Sequence, residues 1–134
     1  MSAVVVDTHT LIWYTSRDPR LSTTARAALV NAEQAGAPIF VPAIVVVELR
    51  YLVEKRTITE AECAAIIAGL KSPATASTVT PLDLGAAETL AQIPRAPVPD
   101  MPDRIIAATA LWLGLPLVTR DSQIRLLTNI STVW

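Results

Sequence analysis

This chain has little of what several large protein classes are built from. It has one cysteine, Cys63, so no internal disulfide can staple it. That fits a reducing cytosol, and a cytoplasmic location is expected. It has one histidine, His9, with no clustered partners at zinc-site spacing. No Ser-His or Cys-His pairing stands out as nucleophilic machinery. There is no polybasic tract, and the net charge is −1, which weighs against a general nucleic-acid coat protein. The longest apolar stretch, residues 105–118, is interrupted by Gly114 and Pro116 and is too short to span a bilayer, so no membrane association is expected. The opening Met1-Ser2-Ala3-Val4-Val5-Val6-Asp7 carries no basic n-region, and no signal peptide is expected.

What is present is a dense apolar composition. Hydrophobic residues make up 51% and charged residues 17%, a balance that excludes disorder. A chain of 134 residues can build its own core, and one domain over 1–134 is expected. Short apolar strands alternate with helix-like segments. Strands are expected at Val4–Val6, Pro38–Val41, Ser77–Thr80, Leu115–Val118 and Ser131–Val133. Helices are expected over Thr8–Thr15, Leu21–Ala35, Pro42–Lys55, Thr59–Lys71, Leu84–Gln92 and Asp103–Leu113, with a turn at Ser122–Leu127. Pro94, Pro97, Pro99 and Pro102 keep residues 93–102 out of any helix. This alternation indicates an α/β fold with a parallel sheet.

Four acidic residues stand at the boundaries of these elements: Asp7 after the first strand, Glu48 after an apolar helical run, Asp103 at a helix start and Asp121 after the fourth strand. Burying a carboxylate is costly unless it is compensated. Four gathered together would raise one another's pKa values or demand a cation. In open parallel sheets the ligand crevice lies beyond the carboxyl ends of the strands, where strand order reverses. Asp7 and Asp121 both follow strand ends, so they converge if the first and fourth strands are neighbours. Hard divalent ions prefer such oxygen ligands. Phosphodiester hydrolysis by metal-activated water suits this residue set best.

The motif blocks make the reading more specific. They are Val4-Val5-Val6-Asp7-Thr8-His9-Thr10-Leu11-Ile12-Trp13, Val41-Pro42-Ala43-Ile44-Val45-Val46-Val47-Glu48-Leu49, Pro99-Asp100-Met101-Pro102-Asp103-Arg104-Ile105-Ile106-Ala107-Ala108-Thr109-Ala110, and Leu117-Val118-Thr119-Arg120-Asp121. In order and spacing the chain resembles a PIN-domain ribonuclease, in particular the VapC toxins of VapBC toxin–antitoxin systems. The resemblance implies a PIN-like three-layer fold whose central parallel sheet has order 3-2-1-4-5. It implies a Mg²⁺- or Mn²⁺-dependent endoribonuclease, a homodimer, and inhibition by a VapB-type antitoxin through which any DNA contact would pass. Carried over by motif, Asp7, Glu48, Asp103 and Asp121 are the active-site acids, with Asp7 and Asp103 as metal ligands. Thr119 matches a hydroxyl that orients the first acid. One departure is Val98-Pro99 ahead of Asp100, where many relatives have His-Arg.

Each of these residues also has a plainer use. Asp7, Asp103 and Asp121 could cap helices, and Asp100 keeps that reading with most weight, as a supporting residue. Glu48 could pair with Arg50 or Arg104. Arg104 and Arg120, beside the proposed acids, are the expected RNA contacts. Trp13, Tyr14, Tyr51 and Trp112 read as core or dimer contacts. A haloacid-dehalogenase-type enzyme would want an acid where His9 stands, and a receiver domain a late lysine, whereas no lysine follows Lys71. The alternative function is a catalytically silent PIN-like module that only binds a partner protein.

Overall fold

The computed structural model describes residues 3–134. Its first strand, β1 (Val4–Val6), is buried at every position, as expected for a strand covered on both faces. Asp7 then caps helix α1 (Thr8–Ser16), its carboxylate accepting from the Thr10 N–H. Ser22 caps α2 (Thr23–Gln34) in the same way. Strand β2 (Ile39–Pro42) runs directly into α3 (Ala43–Glu54), where Pro42 takes the cap position, which needs no N–H of its own. A capping box between Thr59 and Glu62 starts α4 (Glu60–Lys71). Strand β3 (Ser77–Thr80) follows, then α5 (Leu84–Thr89), α6 (Met101–Leu113), β4 (Leu117–Val118) and β5 (Thr132–Val133).

Several boundaries differ from expectation. The expected helix 84–92 divides into α5 and a 3-10 turn at Leu90–Gln92. The helix expected to open at Asp103 begins at Met101, with Asp100 as its cap. Pro102 lies inside its first turn, where the missing N–H has no helical partner to lose. The fourth strand is shorter than expected because Gly114, in the left-handed conformation, ends α6 and Leu115 and Pro116 lead out of it. The Ser122–Leu127 segment condenses to a 3-10 turn at Ile124–Leu126.

The five strands form one parallel sheet in the order β3-β2-β1-β4-β5, with six α-helices around it. This is the expected order. The chain first builds outward from β1 through β2 to β3, then returns to the other side of β1 for β4 and β5, so strand order reverses between β1 and β4. The register there pairs Val5 with Leu117 and Val6 with Val118. Continuing it by one residue sets Asp7 beside Thr119. Leu11, Leu29, Ile39, Leu49, Ile106 and Leu117 are fully buried between the layers. Each contributes on the order of 1.5–3 kcal/mol of apolar transfer. Among the described residues no helix is long and apolar enough to cross a membrane.

Candidate active site

A groove of about 660 Å³ opens beyond the carboxyl ends of β1 and β4, where parallel-sheet proteins bind ligands. Asp7, Glu48, Asp100, Asp103 and Asp121 all line it. Asp7 is buried at 8% exposure, and both its oxygens are engaged. Oδ1 accepts from the Thr10 N–H at 3.0 Å, and Oδ2 accepts from the Thr119 hydroxyl at 2.5 Å. Thr119 Oγ1 in turn accepts from the Asp121 N–H at 3.0 Å. One buried hydroxyl thus ties the first acid to the backbone of the last. Asp121 Oδ1 accepts from the N–H groups of Gln123 and Ile124, which fixes the carboxylate and caps the turn that follows.

Glu48 reaches the groove from the middle of α3. Its orientation comes from Thr8, whose hydroxyl donates to Oε1 at 2.6 Å. Neither ion pair considered for Glu48 forms, because Arg50 pairs with Glu60 and Arg104 points elsewhere. Burial raises the Glu48 pKa, Asp100 and Asp7 add to the rise, and the Thr8 hydrogen bond and His9 oppose it.

Asp103 occupies the third position of α6, with its backbone N–H donated to Asp100 Oδ2. Its carboxyl group is pushed up to about 7, first by burial and then by the charges of Asp100, Asp121, Glu48 and Asp7. Among the described residues no cation or hydrogen-bond donor to the carboxylate offsets these effects. Burial among like charges thus disfavours the ionised form of Asp103.

The donor set suits a hard divalent cation. It is all oxygen, and it holds uncompensated negative charge. Among the described residues no three His, Cys, Asp or Glu side chains close into a metal cage. Mg²⁺ commonly uses only one or two carboxylates and completes its shell with waters and substrate phosphates, so an open groove is compatible with it. Asp7 and Asp103, the ligands expected from the motif, both line this groove.

The arginines need one correction. Arg104 does not line the groove. Its guanidinium donates from Nη2 to the carbonyls of Leu90 and Ile93, so it fastens the 3-10 turn to α6. Consecutive helical residues point about 100° apart, so adjacency to Asp103 carried no shared direction. Arg120 does line the groove, over the Trp13 ring.

The PIN domain family model matches residues 4–129. The chain belongs to the PIN-domain family. Among curated proteins this PIN domain is similar to Ribonuclease VapC22 of Mycobacterium tuberculosis, 30% identical over 125 residues, which span 93% of this chain and 92% of that one. Among solved structures it resembles VapBC2 from Rickettsia felis, described as bound to a DNA fragment from its promoter, with TM-score 0.71 and 17% identity over 97% of this chain and 96% of that one. It also resembles FitAcB from Neisseria gonorrhoeae, with TM-score 0.65 and 23% identity over 96% of this chain and 95% of that one. At such identities these two likenesses bear on the fold, which agrees.

Sequence reasoning missed several residues of this PIN-domain groove. Thr8 and Thr10 were passed over, although hydroxyls at alternate positions after Asp7 were a usable signal. Thr10 Oγ1 donates to the Val118 carbonyl at 2.8 Å and so secures the β1–β4 seam. Trp13, read as core or dimer contact, is buried but lines the groove. Ser122 lines it as well.

Proposed function

We propose that this PIN-domain protein is a metal-dependent endoribonuclease and the toxin of a toxin–antitoxin pair. The carrying observation is the meeting of five carboxylates at the strand-order reversal, with the pKa of Asp103 raised to about 7. The similarity to a curated ribonuclease supports RNA as the substrate. On this reading Asp7 and Asp103 hold Mg²⁺ or Mn²⁺, Glu48 and Asp121 complete the catalytic set, and Asp100 and Thr119 support it. When bound, the ion supplies Lewis acidity, neutralising charge that builds on the phosphoryl oxygens and making hydroxide available near neutral pH.

The rest is done by the chain. Thr119 and the Thr10 N–H keep Asp7 in one orientation. Thr8 occupies Glu48 Oε1, and the other oxygen of this groove-lining carboxylate accepts a proton from the attacking water. Water adds to phosphorus, one ester P–O bond breaks, the leaving oxygen takes a proton from solvent, and the strand is cut. A VapB-type antitoxin, a homodimer, a cytoplasmic location and DNA contact only through the antitoxin complete the proposal, with one domain spanning the chain.

The test is RNA cleavage by Asp7→Asn and Asp103→Asn variants with Mg²⁺ or Mn²⁺ present. Both should fold and lose cleavage by several orders of magnitude. Cleavage retained by folded variants would falsify the assignment.

A further inference from the structure

The groove wall beside the acids has a second chemistry. Trp13 is only 4% exposed, and two guanidinium groups cover its ring. Arg120 Cζ lies 4.5 Å from the ring centroid and Arg20 Cζ lies 5.0 Å from it. Both arginines line the same groove as Asp7 and Asp121. Their routes to it differ. Thr119 turns inward to Asp7, and the next residue, Arg120, lies over Trp13 of α1. Arg20 comes from the turn after α1, where Asp18 grips it through Nε at 3.0 Å and Nη2 at 2.8 Å.

Two like charges against one ring repel each other, and the ring's electron-rich face repays only part of that. A cation–π contact is worth roughly 0.5–1 kcal/mol at an exposed site. Asp18 compensates Arg20. Among the described residues no carboxylate lies within ion-pair distance of Arg120. Arg120 therefore presents a guanidinium fork with no acceptor, held by stacking, one residue from an active-site acid. A fork of that kind matches the paired oxygens of a phosphodiester.

We propose that Arg20 and Arg120, stacked on Trp13, form a subsite for a phosphodiester of single-stranded RNA next to the one that is cut. The identity of the anion rests on the ribonuclease reading above. The subsite draws the strand into a groove whose acids would otherwise repel it, and it sets which phosphate faces Asp7 and Asp103. It acts in binding and orientation, so its loss raises KM by a larger factor than it lowers kcat.

The deciding experiment measures binding of a fluorescently labelled single-stranded RNA oligomer by anisotropy, in chelator and across a KCl series. Wild type is compared with Arg120→Gln, Arg20→Gln, the double variant, Arg120→Lys and the distant control Lys71→Gln. Circular dichroism checks each fold, and Arg20→Met replaces Arg20→Gln if the latter does not fold. Loss of both arginines should flatten the plot of log K against log salt by about 0.7, the single-strand value per phosphate neutralised, with each single variant falling between that and wild type. Arg120→Lys should keep the slope, and Lys71→Gln should match wild type. An unchanged slope in the double variant overturns the proposal, as does absence of wild-type binding at low salt. Cleavage with Mg²⁺ or Mn²⁺ is scored separately. A wild type that cleaves while the slopes do not respond sinks the subsite alone. A wild type that does not cleave sinks the nuclease reading, and the slopes still decide the subsite.

Discussion

Thr8 donates its hydroxyl to Glu48 Oε1 across a gap of forty positions in the chain, at 2.6 Å, and this bond directs a mid-helix acid into the groove. Thr8 stands one residue after Asp7, so the segment that carries the first acid also aims the second. Thr8→Val should remove the one hydrogen bond that lowers the Glu48 pKa and let it rise further. The expected stability loss is about 1–2 kcal/mol, read from denaturant unfolding. RNA cleavage should fall, with the acid-side limb of its pH profile shifted to higher pH. Thr8→Ser should restore both, and a Thr8→Val enzyme with wild-type rate and pH profile would rule out this role.

Thr119 is fully buried and serves two acids, as donor to Asp7 and as acceptor from the Asp121 N–H. Thr119→Val keeps the shape and strands both partners. We expect a loss of about 1–3 kcal/mol in stability from unsatisfied buried groups. Metal affinity or activity should drop roughly 10–100-fold, the usual cost of losing a residue that orients a ligand. Isothermal titration with Mn²⁺ and a cleavage assay measure the two, and a serine replacement should recover most of both.

The raised pKa of Asp103 makes the stability of the metal-free protein depend on pH. The folded group titrates at about 7, whereas an unfolded Asp titrates near 3.9. Between those values the folded state keeps a proton that the unfolded state has lost. Stability therefore falls as pH rises through that window, and the full penalty is present above about pH 7. Glu48, also raised, acts in the same direction. Asp103 is half-buried, so solvent screening leaves a shift of only a few degrees in Tm. In chelator, Tm should be lower near pH 8 than near pH 5, Asp103→Asn should flatten the difference, and Mg²⁺ should raise Tm most at the higher pH. A pH-independent Tm would contradict the electrostatic account.

Gly85 and Trp112 join α5 to α6. A Cβ on Gly85 would lie 2.3 Å from Trp112 Cζ2, so Gly85→Ala must displace the indole. Trp112 is 52% exposed, and the ring can swing outward. Overpacking costs about 1–3 kcal/mol, and the helix preference of alanine returns up to about 1 kcal/mol. A net loss near 1 kcal/mol is expected, with a shift in tryptophan fluorescence. The loss should disappear in a Trp112→Ala background, and additive effects in that double-mutant cycle would show that the two positions do not meet.

Much of this was legible in the chain because strands and helices leave periodic marks. Val4–Val6 is a continuous apolar run, and it is the central strand. Asp7 and Asp121 follow strand ends, and both reach the groove. Ser22, Thr59 and Asp83 are cap-type residues at the start of helix-like runs, and each accepts an N–H from the turn that follows. Other features were not legible. Arg104 seemed an RNA contact because it follows Asp103, yet it turns to the Leu90 and Ile93 carbonyls. Trp13 seemed an ordinary core residue, yet two arginines meet on it. Proline placement also misled the reading of α6, since Pro102 sits in its first turn.

The sequence by itself determined the alternating α/β pattern, the parallel sheet, the family and the identities of the acids, because periodicity and motif spacing are local properties. The tertiary structure alone decided how those acids are held. Pairing Val6 with Val118 sets Asp7 beside Thr119, and the rotation of α3 sets Glu48 before Thr8. Register and helix rotation come from burying distant apolar side chains together, and no single segment contains that information.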